Sequence, residues 1–372
     1  MERRDFLKAG LALGAAAGGG IVTLANAKTA PDLRPGETLR LNSNENPLGL
    51  SPAARRAILD GLDEANRYPR DSRVQLIEAL AALHGVEPEN IVLGNGSTEV
   101  LQMSVQALAT PRSRLVLADP TFEDVPWYAL PFPYELVRVP LDGRFAHDLE
   151  AMRRAASSAA GPALVYICNP NNPTGTLTPS AEIDDWIEAA PETVSFLVDE
   201  AYFEYCEDPA YWSCVKWVDK PNVIVARSFS KIYGMAGIRL GYGVAHDETA
   251  GRLRQFIGKN NANHLVLVAA LAALNDEGLI PRSRAANAEG MNILHRALDE
   301  LGLEYLPSHT NFVMHRIRGE LDTYRERMAA HGVRVGRPFP PMLDYNRLSI
   351  GLPEEMSRFV EVLREFRSAG WV

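Results

Sequence analysis

Thr193-Val-Ser-Phe-Leu-Val-Asp-Glu-Ala-Tyr202 starts as a near-continuous apolar run and turns polar at Asp199. A run of this kind suits a strand in a sheet covered on both faces, because neither side of the strand meets water. Three more runs share the form, Leu115–Ala118, Ala163–Cys168 and Val223–Ala226. Polar clusters follow them directly: Asp119-Pro-Thr-Phe122, Asn169-Pro-Asn-Asn172 and Ser228-Phe-Ser-Lys231. Upstream, Ala53–Asp63 and Arg73–Leu83 have helical spacing, Ile91–Leu93 reads as a short strand, and a helix is expected over Ser97–Ala109 after the turn Gly94-Asn-Gly96. The alternation predicts an α/β large domain with a mainly parallel sheet between helices. Ligands of such sheets bind beyond the carboxyl ends of the strands, so the polar clusters are expected to meet on one edge. From about Asn261 the pattern changes to helices with strands at Asn311–Arg316 and Leu348–Ile350, which predicts a smaller α/β C-terminal domain.

Bulk properties narrow the function. A chain of 372 residues exceeds the usual size of a single core. With 46% hydrophobic and 23% charged residues it has the composition of a soluble globular protein. A net charge of −9 argues against a nucleic-acid or anionic-membrane surface, though not against a local basic pocket. Cys168, Cys206 and Cys214 are too few for a disulfide framework. The eight histidines are scattered, no His-Glu-x-x-His occurs, and no metal is expected. After residue 27 no Gly-x-Gly-x-x-Gly follows a strand, which argues against a nicotinamide cofactor.

The chain opens Met1-Glu-Arg-Arg-Asp-Phe-Leu-Lys8, continues as an Ala/Gly-rich apolar run to Leu24, and then reads Ala25-Asn-Ala27. Basic, apolar and small-x-small segments in this order form an export signal, and the Arg-Arg-x-Phe-Leu-Lys pattern is of the twin-arginine type. The expected organisation is a signal peptide over 1–27, an extended arm over 28–50, a large domain over 51–260 and a small domain over 261–372. Once the leader is cleaved, a periplasmic protein with no membrane segment is expected.

The clusters have a chemical logic. A lysine that attacks a carbonyl must be neutral, which burial or a cationic neighbour favours. Lys231 has Arg239 eight residues on, inside Gly237-Ile-Arg-Leu-Gly241. Ser228, Ser230 and Arg239 offer hydroxyls and a guanidinium fork suited to phosphate. A helix opening at Ser97 after Gly96 would add backbone N–H groups and its positive dipole end. An aspartate ending a strand, as Asp199 does, can keep a pyridine nitrogen protonated so that the ring withdraws electrons. Tyr202 and Asn172 could donate to a ring oxygen, and Phe122 could supply a stacking face. Each residue also has a blander reading: a solvated turn, a helix cap, a surface carboxylate or a core aromatic.

Asn169-Pro-Asn-Asn-Pro-Thr-Gly175, Asp199-Glu-Ala-Tyr202 and Ser228-Phe-Ser-Lys231 with Arg239 resemble the fold-type I, class I/II aminotransferases. Leu41-Asn-Ser-Asn-Glu-Asn-Pro-Leu-Gly49 and Arg67-Tyr-Pro-Arg70 are similar to the histidinol-phosphate aminotransferase branch. The resemblance runs collinearly from about Leu41 to Gly351. It implies a pyridoxal 5'-phosphate-dependent transferase fold and ping-pong exchange of an amino group between an amino acid and a 2-oxo acid. On this resemblance Lys231 is the Schiff-base lysine and proton shuttle, and Asp199 pairs with the pyridinium nitrogen. Asn172 and Tyr202 contact the ring hydroxyl oxygen, and Phe122 stacks on the ring. Gly96, Ser97, Thr98, Ser228, Ser230 and Arg239 surround the phosphate. Tyr68 reaches the phosphate of a neighbouring subunit, which implies a homodimer. Arg347 clamps the substrate carboxylate and Asn46 lies at the substrate.

Two departures fall on substrate recognition. The branch's Tyr-x-Pro-Gly reads Leu33-Arg-Pro-Gly36 here, without a hydroxyl, so histidinol phosphate is expected to be a poor donor. Its Gly-x-x-Val-Arg-Pro reads Gly332-Val-Arg-Val-Gly-Arg-Pro338. The extra residue makes Arg334 or Arg337 the second arginine, and Arg337 is carried as the substrate contact. The competing expectations are another reaction on the same cofactor (a lyase, decarboxylase or racemase) and a non-catalytic cofactor-binding module.

Overall fold

The computed structural model describes residues 38–110, 112–157 and 161–372. The leader, the first part of the arm and Leu33-Arg-Pro-Gly36 lie outside the described residues. The strands are β1 (Leu39–Arg40), β2 (Ile91–Gly94), β3 (Arg114–Asp119), β4 (Glu135–Pro140), β5 (Ala163–Cys168), β6 (Val194–Asp199), β7 (Val223–Ser228), β8 (Gly241–Ala245), β9 (Phe312–Arg316), β10 (Val333–Arg334) and β11 (Tyr345–Ser349). The α-helices are α1 (Pro52–Asp60), α2 (Arg70–His84), α3 (Ser97–Leu108), α4 (Asp124–Ala129), α5 (Leu149–Ser157), α6 (Ser180–Ala189), α7 (Asp247–Leu253), α8 (His264–Leu274), α9 (Leu279–Leu301), α10 (Leu321–Ala330) and α11 (Pro353–Ser368).

Seven strands form one sheet in the order β2-β8-β7-β6-β5-β3-β4. Only β8 runs against its neighbours. The apolar runs explain this sheet. Along β6, Phe196 and Val198 join the apolar cluster on one face, while Leu197 joins the cluster on the other. Both faces are therefore dry, as the unbroken runs predict. Burying each such side chain contributes roughly 1.5–3 kcal/mol.

The register gathers one edge of the sheet. Cys168 lies beside Asp199, and Ser228 lies beside Gly241, which in turn pairs with Gly94. Because β8 is antiparallel, its beginning lies on the edge where its neighbours end, so Arg239 arrives there with Ser228. Glycines in β8 let α3 pack directly on the strand. A Cβ on Gly241 would meet the Ser97 nitrogen at 2.1 Å, and one on Gly243 would meet Val100 Cγ1 at 2.9 Å. The same glycines weaken the strand signal in the sequence.

A second body holds β9 antiparallel to β11, with α9, α10 and α11. Its buried core includes Leu294, Leu298, Tyr324, Phe359, Leu363 and Phe366. Leu39 and Leu41 of the arm belong to this core, and β1 pairs in parallel with β10. Conversely Val266, Leu267, Ala269, Ala270 and Leu279 pack into the first body. The apolar division thus runs through α9, and the boundary expected at 260/261 does not coincide with it. The reason is that α8 is apolar all round and needs cover on every side, while α9 is one continuous helix reaching from Leu279 in one cluster to Leu294 in the other.

Candidate active site

Asp199 closes β6 with its side chain buried. Tyr166 Oη donates to its Oδ2 at 3.0 Å, and the Ala201 N–H donates to Oδ1 at 3.1 Å. Burial pushes the carboxyl up to about 6, opposed by these two bonds and by the charge of Lys231. The strand end is pinned from behind. Arg227 of β7 donates from Nε to Glu200 Oε2 at 2.8 Å, pairs with Glu204 at 3.1 Å and lies 3.7 Å over the Phe203 ring. That buried cluster locks the ends of β6 and β7 together.

Lys231 follows β7 in a tight turn. The Ser230 N–H donates to Ser228 Oγ at 3.0 Å, and the Gly234 N–H donates to the Lys231 carbonyl at 3.0 Å. Gly234 has φ +70°, and a Cβ there would meet the Gly49 carbonyl oxygen at 2.1 Å, so the turn presses on the arm. Lys231 Nζ stands 5.4 Å from the Tyr202 ring centre. Burial first, then Arg347 and Arg239, bring its ammonium down to about 8, while Asp199 opposes them.

One end of the site is built for an anion. Gly96 caps α3 at φ 85°, ψ 161°, with no side-chain capping bond. The first N–H groups of α3 are therefore left to an external acceptor. A Cβ on Gly96 would fall 2.2 Å from Arg239 Nη2, so only glycine lets that guanidinium lie against the helix start. Arg239, itself at φ 63°, donates from Nη1 to Ser230 Oγ at 3.2 Å. Ser97, Thr98, Ser228, Ser230 and Arg239 thus meet where the register brings β2, β7 and β8 together.

The arm and β11 supply the opposite wall. Arg347 Nη1 donates to Asn172 Oδ1 at 2.7 Å and Nη2 to the Asn42 carbonyl at 3.0 Å. Its buried Nε has no hydrogen-bond partner among the described residues. Burial lowers this guanidinium to about 10, and the charge of Arg337 adds to that shift. Tyr202 Oη accepts from Asn44 Nδ2 at 3.0 Å, leaving its own O–H to donate. Asn44 is held by Ser349, whose Oγ accepts from the Asn44 N–H at 2.7 Å.

The outer residues are less constrained. Phe122 is half-buried beside the α3 cluster. Arg337 pairs with Glu123 at 2.5 Å, and about half of each side chain is exposed. Arg334 sits on β10 opposite Arg40 and is exposed; Arg337 is also exposed but lies over the Phe339 ring, which Arg347 approaches as well. Tyr68 is 74% exposed. Asn46, expected at the substrate, is held by three hydrogen bonds: its Nδ2 donates to the Ile232 carbonyl at 2.7 Å and to Ser283 at 2.9 Å, and its Oδ1 accepts from Leu48. It pegs the arm to the Lys231 turn.

Sequence reasoning missed Tyr166, Asn44, Ser349 and Asp124. Only Tyr166 left a signal, a phenol inside an otherwise apolar strand that must find a partner for its hydroxyl. Asn44 and Ser349 are 305 positions apart and meet only in the fold. Asp124 acts on Asp199 through space and leaves no local mark.

Residues 37–363 match the model of the aminotransferase class I and II family. Residues 1–20 match the twin-arginine translocation pathway signal sequence. A histidinol-phosphate aminotransferase of Nitrosococcus oceani is 40% identical over 339 residues, covering 88% of this chain and 90% of that protein. One of Moorella thermoacetica is 38% identical over 333 residues, covering 88% and 85%. Among solved structures, histidinol-phosphate aminotransferase from Sinorhizobium meliloti in complex with pyridoxal-5'-phosphate superposes with a TM-score of 0.83 at 29% identity, covering 90% of this chain and 91% of that one. An L-threonine-O-3-phosphate decarboxylase from Porphyromonas gingivalis shares the fold at 22% identity and a TM-score of 0.77, covering 89% and 99%.

Proposed function

The chain belongs to the aminotransferase class I and II family, and from that premise we propose how its own residues divide the work of amino-group transfer. The protein is a pyridoxal 5'-phosphate-dependent transaminase that exchanges an amino group between an amino acid and a 2-oxo acid. The observation that carries the assignment of roles is the meeting of Lys231, Asp199 and Arg239 on one sheet edge. The residues present fit the cofactor: an anion cradle at the start of α3, a buried carboxylate, and an amine of lowered basicity between them.

When bound, the cofactor supplies an aldehyde that condenses with amines and a protonated ring that withdraws electrons from the substrate's Cα. Ser97, Thr98, Ser228, Ser230 and Arg239 hold its phosphate. Asp199 keeps the proton on the pyridine nitrogen, and Tyr166 and Ala201 hold that carboxylate in one orientation. Asn172 and Tyr202 donate to the ring oxygen, since Asn172 Oδ1 and one Tyr202 lone pair are already engaged. Phe122 covers one ring face. Lys231 in its neutral form would take the proton from the substrate's Cα and deliver it to the cofactor's former aldehyde carbon, across the nitrogen that joins the two. Arg347 binds the substrate carboxylate, its unpaired Nε adding a donor to the fork.

A twin-arginine signal marks the chain for export, and the periplasm is the destination we assign. Exposed Tyr68 serves the neighbouring active site of a homodimer. The test of the role assignment is Lys231→Ala in the purified mature protein. Visible absorption of the lysine-bound cofactor and transamination are both expected to vanish; surviving turnover would remove Lys231 from its role.

A further inference from the structure

Arg337 is the natural partner for a second anionic group on the substrate, yet the fold has already given it one. Its Nη2 sits 2.5 Å from Glu123 Oε2, and its Nη1 donates to the Pro338 carbonyl at 2.9 Å. The guanidinium lies 4.2 Å from the centre of the buried Phe339 ring, and Arg347 lies 4.6 Å from the same centre. The two arginines share one ring, so Arg337 is a near neighbour of the group proposed to bind the substrate carboxylate.

Glu123 has an acidic neighbour. Asp124 opens α4, and burial raises its carboxyl; Arg337 and Arg239 lower it while Glu123 raises it further. Asp124 is the next residue in the chain after Glu123, at the start of the same helix, and its charge also acts on Asp199. Beyond Arg347, this part of the site holds two carboxylates and one guanidinium. A substrate carrying a second carboxylate or a phosphate would have to displace Glu123 from Arg337 and then lie beside two negative charges. Like charges so placed penalise the wrong partner more than a lone arginine rewards the right one.

We propose that Glu123 and Asp124 are specificity residues that select amino donors whose side chain carries no negative charge, with Glu123 withholding Arg337 from a distal carboxylate or phosphate. The proposal rests on reading Arg347 as the carboxylate clamp. It sets this enzyme apart from the phosphorylated amine in its relatives' names.

Two unreactive acids test it on the holoenzyme by calorimetry: 3-phenylpropionate, with one carboxylate, and glutarate, with two. The wild type is expected to bind 3-phenylpropionate roughly tenfold more tightly. Glu123→Gln frees Arg337 and is expected to strengthen glutarate binding about fivefold while leaving 3-phenylpropionate within about twofold. Asp124→Asn should move glutarate in the same direction. Equal affinities in the wild type, or a ratio untouched by Glu123→Gln, overturn the proposal. Half-reactions with L-phenylalanine and L-glutamate separate the two levels of inference. If neither amino acid converts the loaded cofactor, the reading of the site as this transaminase fails and the proposal goes with it. If both convert equally well, only the selectivity is lost.

Discussion

Asp199 and Arg337 are charged groups facing one site, but they are held in opposite ways. Asp199 is 3% exposed, ends a central strand and accepts from a phenol and a backbone N–H. Arg337 has about half its side chain in solvent and one carboxylate partner. The first arrangement fixes a protonation state, because a buried carboxylate cannot trade its donors for water. The second fixes only a preference, because an exposed pair is worth about 1 kcal/mol or less. On the roles proposed above, cofactor chemistry resides in the rigid sheet edge and substrate choice in a rim that few substitutions would be needed to change.

The largest effect should come from the buried side of this contrast. Asp199→Asn is expected to lower turnover about a thousandfold, by analogy with the loss of a positioned acid–base group. The cofactor-free variant should meanwhile melt at a higher temperature than the wild type at pH 7. The sign follows from the carboxyl's position. Its folded value of about 6 lies above the ordinary 3.8, so its contribution to stability is full below about pH 4 and is lost as pH rises through 6. At pH 7 the buried charge costs the apo protein stability, and asparagine removes that cost. Lower stability together with lower turnover would mean that Asp199 serves packing alone.

Arg347→Lys probes the middle of the range. Lysine keeps the charge but not the fork, and it cannot reach Asn172 and the Asn42 carbonyl together. KM for the amino donor should rise roughly tenfold to a hundredfold, matching the loss of one or two charge-assisted bonds. An unchanged KM would relocate the carboxylate site. The smallest effect belongs to exposed Tyr68. Tyr68→Phe should weaken cofactor affinity about threefold, as measured by titrating apo protein, in line with one solvent-facing hydrogen bond. A loss as large as that of Asp199→Asn would erase the distinction between edge and rim.

The same contrast governed what could be read in advance. Buried strands announce themselves as apolar runs, and Asp199, Asn172 and Lys231 stand where those runs stop, so the sheet edge was legible. Tyr202 and Arg239 were legible through the motifs around them. The ties made by Asn44, Ser349 and Asn42 were hidden because their partners come from distant chain segments. The bonds by which Asn46 ties the arm to the Ile232 carbonyl and to Ser283 were likewise hidden in the sequence. The choice between Arg334 and Arg337 was undecidable from spacing; in the fold Arg334 lies on β10 opposite Arg40, while Arg337 lies over the Phe339 ring that Arg347 also approaches.

Pairing of β1 with β10, and of Leu41 with Ser349, stitches the first described strand to segments made near the end of translation. Contacts of such long sequence separation close slowly. While the ribosome still holds the carboxyl-terminal region, Leu39 and Leu41 lack their pocket and Asn44 cannot reach Ser349. A truncated polypeptide would therefore emerge with its amino-terminal strand unseated. The chain carries a twin-arginine signal over residues 1–20, and the described strand nearest to it depends for its pocket and its partner strand on the last third of the sequence.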